Sequence, residues 1–394
     1  MIWQGHRLKR YARFVEVRTF PEALKAIMEQ QGWTQVELAR ELGVSQAWVS
    51  EVSRGQKDTG MARAIGLLAR VGWEVRISPK MEESVERREF LAAAASVVFV
   101  PSTRANPYQD ADYVHTLAAS LARNRYELGG IPLVSSALGH ARRIEQVLHD
   151  TVRDKALQTA ASQLADQVTL VLYDAGSLVQ ADRVGGLALE LARRAGDHES
   201  QARAYDTLSR VSLDRGDHAR GVTYAQRGLQ MTDITNGQRA SLSMRLGRSL
   251  AFIPGQETAS RDILDHALNV GGLSPFGEAA LVGDVAIGLG HLHAYGEAGT
   301  LLSEAAEAIG QWSPLFRAQY LGRQVQTAMR ASDLSLAADR MHKLARALPF
   351  VTSGRVNKRV GEILKASQTN AAPEIRQARE HLRAMISPAP PPST

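Results

Sequence analysis

Residues 34–55 read TQVELARELGVSQAWVSEVSRG, a stretch that predicts two short helices joined by a tight turn. Thr34 can cap the first helix, and Glu37, three residues later, can complete a capping box. Gly43 can adopt the left-handed backbone conformation that redirects the chain. Ser45 can then cap the second helix, which begins immediately after it. The stretch therefore predicts a helix-turn-helix in which the second helix is held at a fixed angle against the first.

The second helix separates its apolar residues from its polar ones. Its valines form the apolar side, so the remaining side chains line an opposite, polar face. A helix fits the major groove of DNA, where glutamine can pair with adenine through two hydrogen bonds and alanine can contact the thymine methyl group. We therefore expect base contacts from Ser45, Gln46, Ala47 and Ser50.

Residues at the edges of the two helices are candidates for contacts with the DNA backbone. Gln35 opens the first helix, where backbone N–H groups favour anions such as phosphate. Arg54 and Lys57 follow the second helix and supply positive charge. Trp48 can lie along the sugar-phosphate backbone or pack against a neighbouring helix, and its spacing fits both. Glu51 can accept from a cytosine amine, although a solvated or paired carboxylate is the simpler interpretation.

The distribution of charge separates a DNA-binding hairpin from a purely structural one. Residues 1–80 contain 13 Lys and Arg against 8 Asp and Glu, so they carry +5 of the chain's net charge of +6. A positive field concentrated around the hairpin favours the attraction of phosphates. Several basic residues before the hairpin can form an arm on the DNA backbone or a solvated basic end; these are Arg7, Lys9, Arg10, Arg13 and Arg18.

The pattern resembles the phage-repressor-type helix-turn-helix family, also called XRE or Cro-like. That family repeats TQ-x-x-LA-x-x-LG-V-S-x-x-x-V-S-x-x-x-x-G, and this chain matches it at eleven positions from Thr34 to Gly55. The resemblance implies a five-helix domain that reads the major groove of double-stranded DNA with its third helix, as a homodimer on paired half-sites. It places a first helix at Pro21–Gln31 and a later packing helix at Met61–Val71. Ser53 departs from the family, which often has a glutamate there that makes a buried contact.

Two segments flanking the helices alternate apolar and polar residues, as strands do. They are Phe14–Arg18 and Trp73–Ile77. These segments can pair with each other or between subunits, which would fix the separation of two reading helices.

Residues 81–110 change character from charged to apolar. Arg87 and Arg88 precede the apolar run Phe90–Val100, in an order that resembles a twin-arginine export signal. Such signals lie at the extreme N-terminus, and a run of this length is shorter than the roughly twenty residues that cross a bilayer. We interpret the segment as an amphipathic linker helix that docks on the next domain, with transient membrane contact as an alternative to this docking.

The remainder of the chain is helical in pattern and carries turn signals at a regular interval. Their spacings are 40, 39, 41 and 36 residues, counted along Gly176, Gly216, Gly255, Gly296 and Ser332. A period near forty holds two helices and two loops, and one helical hairpin cannot cover its own apolar face. The sequence therefore predicts a stacked array of hairpins, an α-solenoid, over residues 111–385.

The repeat units resemble divergent tetratricopeptide repeats, most clearly over Ala202–Asp233. There Tyr205 and Leu208 alternate with small residues such as Gly221 and Gly228, where helices of such a repeat need large and small partners. Arrays of this kind follow XRE domains in many actinobacterial regulators, and the excess of Arg over Lys fits a GC-rich genome. The resemblance implies that the concave face binds a peptide, protein or small-molecule effector.

Composition and motifs give little support to catalysis. Cysteine is absent, which removes disulfides, thiolate metal sites and cysteine nucleophiles and suits a reducing cytoplasm. We find none of the common phosphate-loop, zinc-protease or serine-hydrolase patterns. Gly288 and Gly290 are interpreted as helix-packing residues, while His291 and His293 point to different faces of a helix and predict no metal site. Other acidic and histidine residues are interpreted as solvated loops, namely Asp197–Glu199 and Asp217–His218.

The sequence thus predicts an all-α, cytoplasmic, nucleoid-associated DNA-binding regulator without catalytic residues, cofactor, metal or stable membrane association. Its expected domains are a helix-turn-helix domain at 1–80, a linker at 81–110, a helical-repeat domain at 111–385 and a disordered proline-rich tail at 386–394. A different class of function also fits, a DNA-anchored scaffold for plasmid or chromosome-end maintenance.

Overall fold

The computed structural model describes residues 19–57, 64, 67–68, 71, 73–78, 96–101, 106–150 and 154–386. The chain divides into two compact units, residues 1–107 and residues 108–394. Each unit has its own hydrophobic core. The segment Phe14–Arg18, the upstream basic residues and residues 387–394 lie outside the described residues.

Three helices of the first unit meet at a shared apolar core. They are α1 (Phe20–Gln31), α2 (Gln35–Leu42) and α3 (Gln46–Ser53). Leu24, Leu38 and Val49, one from each helix, are fully buried in this core. Of the expected fourth helix at Met61–Val71, the described residues Ala64 and Leu67–Leu68 are helical and buried.

A two-stranded antiparallel sheet follows, and it corrects the interpretation of residues 81–110. Strand β1 (Trp73–Ser78) pairs with β2 (Ser96–Pro101), with Trp73 opposite Pro101 and Ser78 opposite Ser96. The predicted strand at Trp73–Ile77 is confirmed, but the predicted linker helix over Phe90–Val100 is wrong for residues 96–100. The valines and phenylalanine of SVVFVP are β-branched or aromatic, and they favour a strand over the helix indicated by the alanines before them.

The second unit consists of helical hairpins, as the turn spacing predicted. Its helices are α4 (Ala111–Leu128), α5 (Val134–Asp150), α6 (Lys155–Asp174), α7 (Leu178–Ala195), α8 (His198–Asp214), α9 (His218–Leu229), α10 (Asn236–Leu250), α11 (Glu257–Leu268), α12 (Pro275–His291), α13 (Tyr295–Ile309), α14 (Pro314–Arg330), α15 (Leu334–Ala347), α16 (Gly354–Ala366) and α17 (Pro373–Ile386). The first helices of successive hairpins contact one another and form one layer. These first helices are α4, α6, α8, α10, α12, α14 and α16. The predicted all-α repeat array is confirmed. The first unit also contains a short β pair, as the alternating segments suggested, but the described partner of Trp73–Ile77 is β2 and not Phe14–Arg18.

Aspartates begin several of these helices, which corrects their interpretation as solvated loop residues. Asp197 accepts a hydrogen bond from the Ser200 backbone N–H at 3.0 Å, and Asp217 accepts one from the Arg220 N–H at 3.1 Å. His198 and His218 are accordingly the first residues of α8 and α9. Side-chain caps of this kind satisfy N–H groups that have no partner within the helix.

The turns inside the hairpins use left-handed residues at a more even spacing than the sequence markers suggested. Gly176, Gly216, Gly255 and Ser332 have φ values of 87°, 81°, 80° and 60°. The prediction of Gly296 as a turn residue is wrong, because Gly296 lies inside α13. The left-handed residue of that turn is His293, with a φ of 64°. With His293 in its place, the steps become 40, 39, 38 and 39 residues.

The array closes on itself because α4 and α6, near its beginning, contact helices near its other end. Asp174, at the end of α6, is fully buried and accepts hydrogen bonds from the Gly130 N–H at 2.7 Å, the Gln319 amide at 3.1 Å and the Ser353 hydroxyl at 2.8 Å. The Thr352 N–H also donates to the Leu128 carbonyl at 2.7 Å. These bonds tie the turn after α4 and the end of α6 to α14 and to the start of α16. The layer of first helices is therefore continuous across this closure, since α4 contacts α14 and α6 contacts α16.

Replacing Gly354 with alanine is expected to destabilise the closed array. A Cβ at Gly354 would lie 2.2 Å from the Ala175 carbonyl oxygen, a backbone atom that cannot rotate away. We expect a loss of about 2–3 kcal/mol in the free energy of unfolding, typical of an overpacked site.

Gly361, on the same helix, provides the matched control. A Cβ there meets no atom of the described residues within 4 Å, so Gly361→Ala should stabilise the protein by about 0.5–1 kcal/mol through helix propensity. Urea denaturation followed by circular dichroism measures both. Equal effects of the two substitutions would contradict the closure.

A buried ion network joins three first helices inside the array. Arg245 on α10 is 1% exposed, and it bridges Asp206 on α8 at 3.0 Å and Asp284 on α12 at 2.8 Å. Arg248 adds a second bond to Asp284 at 3.1 Å. Burial alone would raise the pKa of Asp284, but the two arginines outweigh burial and lower it. Removal of either partner would leave a buried charge uncompensated, so the network fixes how these hairpins stack.

Asp166 on α6 has no such ion-pair partner among the described residues, and it makes stability depend on pH. Burial raises its pKa to about 6, although a hydrogen bond from Thr207 and the charge of Arg203 act in the opposite direction. Protonated Asp166 therefore favours the folded state. Its contribution to the free energy of unfolding is complete below about pH 4 and is lost as the pH rises through 6. Asp166→Asn should raise the free energy of unfolding by about 2–3 kcal/mol at pH 8 and change it little at pH 4.

Thermal unfolding at the two pH values tests this expectation. The exposed Asp262→Asn substitution serves as the control and should leave both melting temperatures unchanged. A gain from Asp166→Asn that is the same at pH 4 and pH 8 would show that titration of Asp166 is not its cause.

Candidate nucleic-acid interface

The turn between α2 and α3 has the local structure that the sequence predicted. The Glu37 backbone N–H donates to the Thr34 hydroxyl at 3.3 Å, and the Thr34 N–H donates to the Glu37 carboxylate at 2.8 Å. Gly43 follows α2 with φ of 67° in the left-handed region. The Ser45 hydroxyl accepts from the Trp48 N–H at 3.2 Å and caps α3. Short-range hydrogen bonds thus fix both helix starts and the bend between them.

Helix α3 is anchored by its apolar side and exposes its polar side. Val49 and Val52 are buried in the core of the first unit. Gln46 and Ala47 are exposed, and Ser50 is half-buried on the same surface. The exposed Ser45 hydroxyl uses an acceptor lone pair for the cap, so its O–H can still donate. The four residues expected to contact bases therefore lie at one end and along one side of a helix held by its core.

Trp48 does not share that surface, which corrects its expected contact with the DNA backbone. Its side chain is 7% exposed and belongs to the core of the first unit. The ring packs edge-on against Phe20 of α1, with centroids 6.3 Å apart. An indole buries a large apolar area, and the pocket beside α1 offers more contact than solvent does. Trp48 therefore orients α3 from the side of the core.

The other candidates for phosphate contacts lie at the edge of this surface. Gln35 is half-buried at the start of α2, while Arg54 is exposed and its Nε donates to the Ser50 carbonyl at 3.2 Å. Lys57 is exposed and pairs with Glu51 at 3.2 Å. Exposed pairs of this kind contribute little stability, so Lys57 can exchange Glu51 for a phosphate at small cost.

The start of α2 already holds a carboxylate. The hydrogen bond from the Thr34 backbone N–H, with a second from its hydroxyl, lowers the pKa of Glu37. An ionised Glu37 therefore occupies the Thr34 N–H at neutral pH. The Gln35 side chain, and not that backbone group, is left to reach a phosphate.

Two features of this unit were missed by sequence reasoning. Thr19 and Glu22 form a second capping box at the start of α1, with both hydrogen bonds at 3.3 Å. Its sequence signal, a threonine followed three residues later by glutamate, was present. The packing of Phe20 against Trp48 has no comparable signal, because the two rings come from helices separated by α2.

Within the described residues, no group of three or more histidine and acidic side chains is arranged to hold a metal ion. The ring centroids of His291 and Phe252 are 4.3 Å apart. The His293 ring nitrogen Nδ1 lies 2.6 Å from the Tyr295 hydroxyl oxygen. Among the helices that the structure describes, none combines the length and apolar character needed to span a bilayer.

Comparison with known proteins supports the assignment of the first unit. Residues 24–70 match the helix-turn-helix family model. This match covers α2, α3 and the turn that carries the exposed polar surface, and it indicates a DNA-binding regulator. No curated protein matched the sequence at a significant level.

Two solved structures show low overall similarity. The TPR2AB domain of yeast Sti1, in complex with pHSP90, is 14% identical over 70% of this chain and 99% of its own, with a TM-score of 0.25. A STAND protein with a tetratricopeptide repeat sensor from Pyrococcus horikoshii is 14% identical over 91% of this chain and 46% of its own, with a TM-score of 0.31. The repeat array is defined by the contacts between its own helices.

Proposed function

We propose that this protein is a sequence-specific, DNA-binding transcriptional regulator whose helical-repeat unit binds an effector. One observation carries the proposal: α3 exposes Gln46 and Ala47 while its valines and Trp48 hold it against the core. A rigid helix with a polar outer surface is the element that reads base edges in the major groove. The family match over residues 24–70 supports the same function.

The proposed contacts divide into base reading and backbone positioning. Gln46 pairs with adenine, Ala47 contacts a thymine methyl, and Ser45 and Ser50 donate to base edges. Gln35, Arg54 and Lys57 contact phosphates and set the register of the helix on the duplex.

The effector, a peptide, protein or small molecule, acts by changing the populations of two arrangements of a homodimer. It must bind the DNA-competent and the incompetent arrangement with unequal affinity, because equal affinity shifts no equilibrium. The repeat array supplies a large folded surface on the same chain as the DNA-binding unit. This division into a reading unit and a sensing unit assigns the chain no catalytic role.

Selection of binding sites from random DNA, at stated salt concentration, tests the proposed function. We expect an enriched sequence with two-fold symmetry, since a dimer presents two copies of α3 to two half-sites. Arg54→Ala should weaken binding to all sequences alike and leave the enriched sequence unchanged. Recovery of random sequences, or of none, would refute sequence-specific binding.

A further inference from the structure

The two strands of the first unit place their apolar residues on one side of the sheet. Alternate residues of a strand lie on the same face, and residues directly opposite each other across a pair share a face. The register places Trp73 opposite Pro101, and the same parity holds along both strands. One face therefore consists of apolar residues only, here termed the apolar strand face: Trp73, Val75, Ile77, Val97, Phe99 and Pro101.

The other face of the sheet has a different composition. Four of its six residues are polar, in the set Glu74, Arg76, Ser78, Ser96, Val98 and Val100. An antiparallel sheet with one apolar and one polar face typically packs the first against a core and leaves the second in water. The apolar strand face therefore needs a cover that the polar face does not need.

The described helices do not supply that cover. Helix α3 contacts α1 and α2, whereas among the described elements each strand packs extensively only against the other strand. A two-stranded sheet is at best marginally stable in water, and it needs further strands or a packing partner. The sheet is thus half of a packing arrangement whose other half lies outside the described elements.

The segment between the strands does not match this face in chemistry. Residues 79–88 read PKMEESVERR, in which six of ten residues are charged. Burial of charged groups against an apolar surface is costly unless each finds a partner. Residues 92–95 are alanines, which offer little apolar area, so Phe90 and Leu91 are the larger apolar residues that precede β2. Two such residues are too few to cover a face of six.

A second copy of the apolar strand face matches it in both charge and size. The face carries no charge, so two copies related by a two-fold axis meet without like-charge repulsion. Trp73 and Phe99 can each bury about 150–250 Å². With its four other residues, the face approaches the roughly 800 Å² per partner of a standard protein–protein interface. Two sheets that pack face to face lie about 10 Å apart, and aromatic and branched side chains fill such a space.

We propose that two copies of this chain stack their apolar strand faces and so form the homodimer. The proposal identifies the interface of that homodimer and in this respect rests on the proposed function, although the association itself needs no DNA. Because the strands and the helix-turn-helix belong to the same unit, the stacking links the two α3 helices of the dimer. A dimer joined in this way presents two reading helices to paired half-sites.

Analytical ultracentrifugation of the full chain tests the interface. We expect the wild type to be dimeric at micromolar concentration and Val75→Lys to weaken the dimer by about 100-fold or more, since each copy brings a charge to the centre of an apolar interface. Val98→Lys is the matched control, because it makes the same change on the opposite face and should leave the dimer unchanged. A monomeric wild type, or equal effects of the two substitutions, would overturn the proposal.

Cross-linking decides the question if circular dichroism shows that Val75→Lys does not fold. The chain has no cysteine, so an introduced cysteine is its single thiol. The substitution Val75→Cys lies in the central pair of the apolar strand face, and a short bismaleimide should join this variant into covalent dimers. Val98→Cys should remain mostly monomeric on denaturing gels. Equal cross-linking of the two variants, or none in either, refutes the stacked arrangement.

Selection of DNA sites with the same preparations separates this proposal from the proposed function. Monomeric Val75→Lys should no longer select a sequence with two-fold symmetry. A wild-type dimer that dissociates on Val75→Lys substitution but selects no DNA sequence supports the interface and refutes the proposed function. A two-fold sequence selected equally well by the wild type and Val75→Lys overturns the interface and leaves the proposed function standing.

Discussion

Gln46→Glu is expected to weaken binding to the selected DNA sequence by about 100-fold at moderate salt. The substitution removes a bidentate contact with adenine, which contributes roughly 1–3 kcal/mol of discrimination, and brings a negative charge close to the phosphates. Because Gln46 is exposed and outside the core of the first unit, the melting temperature should not change. Fluorescence anisotropy with labelled duplexes measures the affinity, and circular dichroism measures the stability.

Gln31→Glu is the matched control for this prediction. Gln31 is exposed at the end of α1 and is not among the proposed contacts, so the same added charge should lower binding by less than about threefold. The smaller change Gln46→Ala should relax the preference at one base position and cost about 1–3 kcal/mol. Equal losses for Gln46→Glu and Gln31→Glu would mean that net charge, and not the α3 surface, governs binding.

Asp174→Ala is expected to destabilise the second unit by about 3–5 kcal/mol. The substitution leaves the Gly130 N–H, the Gln319 amide and the Ser353 hydroxyl without their shared buried acceptor. Unsatisfied buried donors of this kind each cost about 1–3 kcal/mol, and hydrogen bonds to a charged acceptor are the stronger class. The midpoint of urea denaturation should fall accordingly.

Asp262→Ala controls for the loss of an aspartate, because Asp262 is exposed on α11 and should change stability by less than about 0.5 kcal/mol. Asp174→Asn keeps the shape of the side chain but exchanges one acceptor oxygen for a donor, so an intermediate loss is expected. A loss below 1 kcal/mol for Asp174→Ala would show that the two ends of the array are held together by other contacts.

The helix-turn-helix could be predicted in detail because its determinants lie close together in the chain. The capping box at Thr34, the left-handed Gly43 and the cap at Ser45 each act over three or four residues, and all three are present. The role of Trp48 could not be settled in the same way. Its burial depends on Phe20, a residue from a helix that is not its neighbour in sequence.

The repeat array was predictable in period but not in closure. Turn residues recur about every 39 positions, and this interval sufficed to predict stacked hairpins. His293 was missed as a turn residue because a histidine with positive φ has no sequence signature comparable to that of glycine. Strand β2 was missed because alanines before it indicated a helix, whereas its pairing with β1 depends on a segment about twenty residues away.

The sequence by itself determined the helix starts, the bend before α3, its polar outer surface and the hairpin period, since capping and helical periodicity act within a few residues. Only the tertiary structure decided that Asp174 contacts Ser353, 179 residues away, and that Arg323 and Arg359 converge on Gln326. These contacts depend on how the small rotation between successive hairpins accumulates along the array, a quantity that no local pattern encodes. The packing of Trp48 against Phe20 and the pairing of β1 with β2 were also decided only by the tertiary structure. Each of these contacts joins segments that are separated in the sequence and meet in the folded chain.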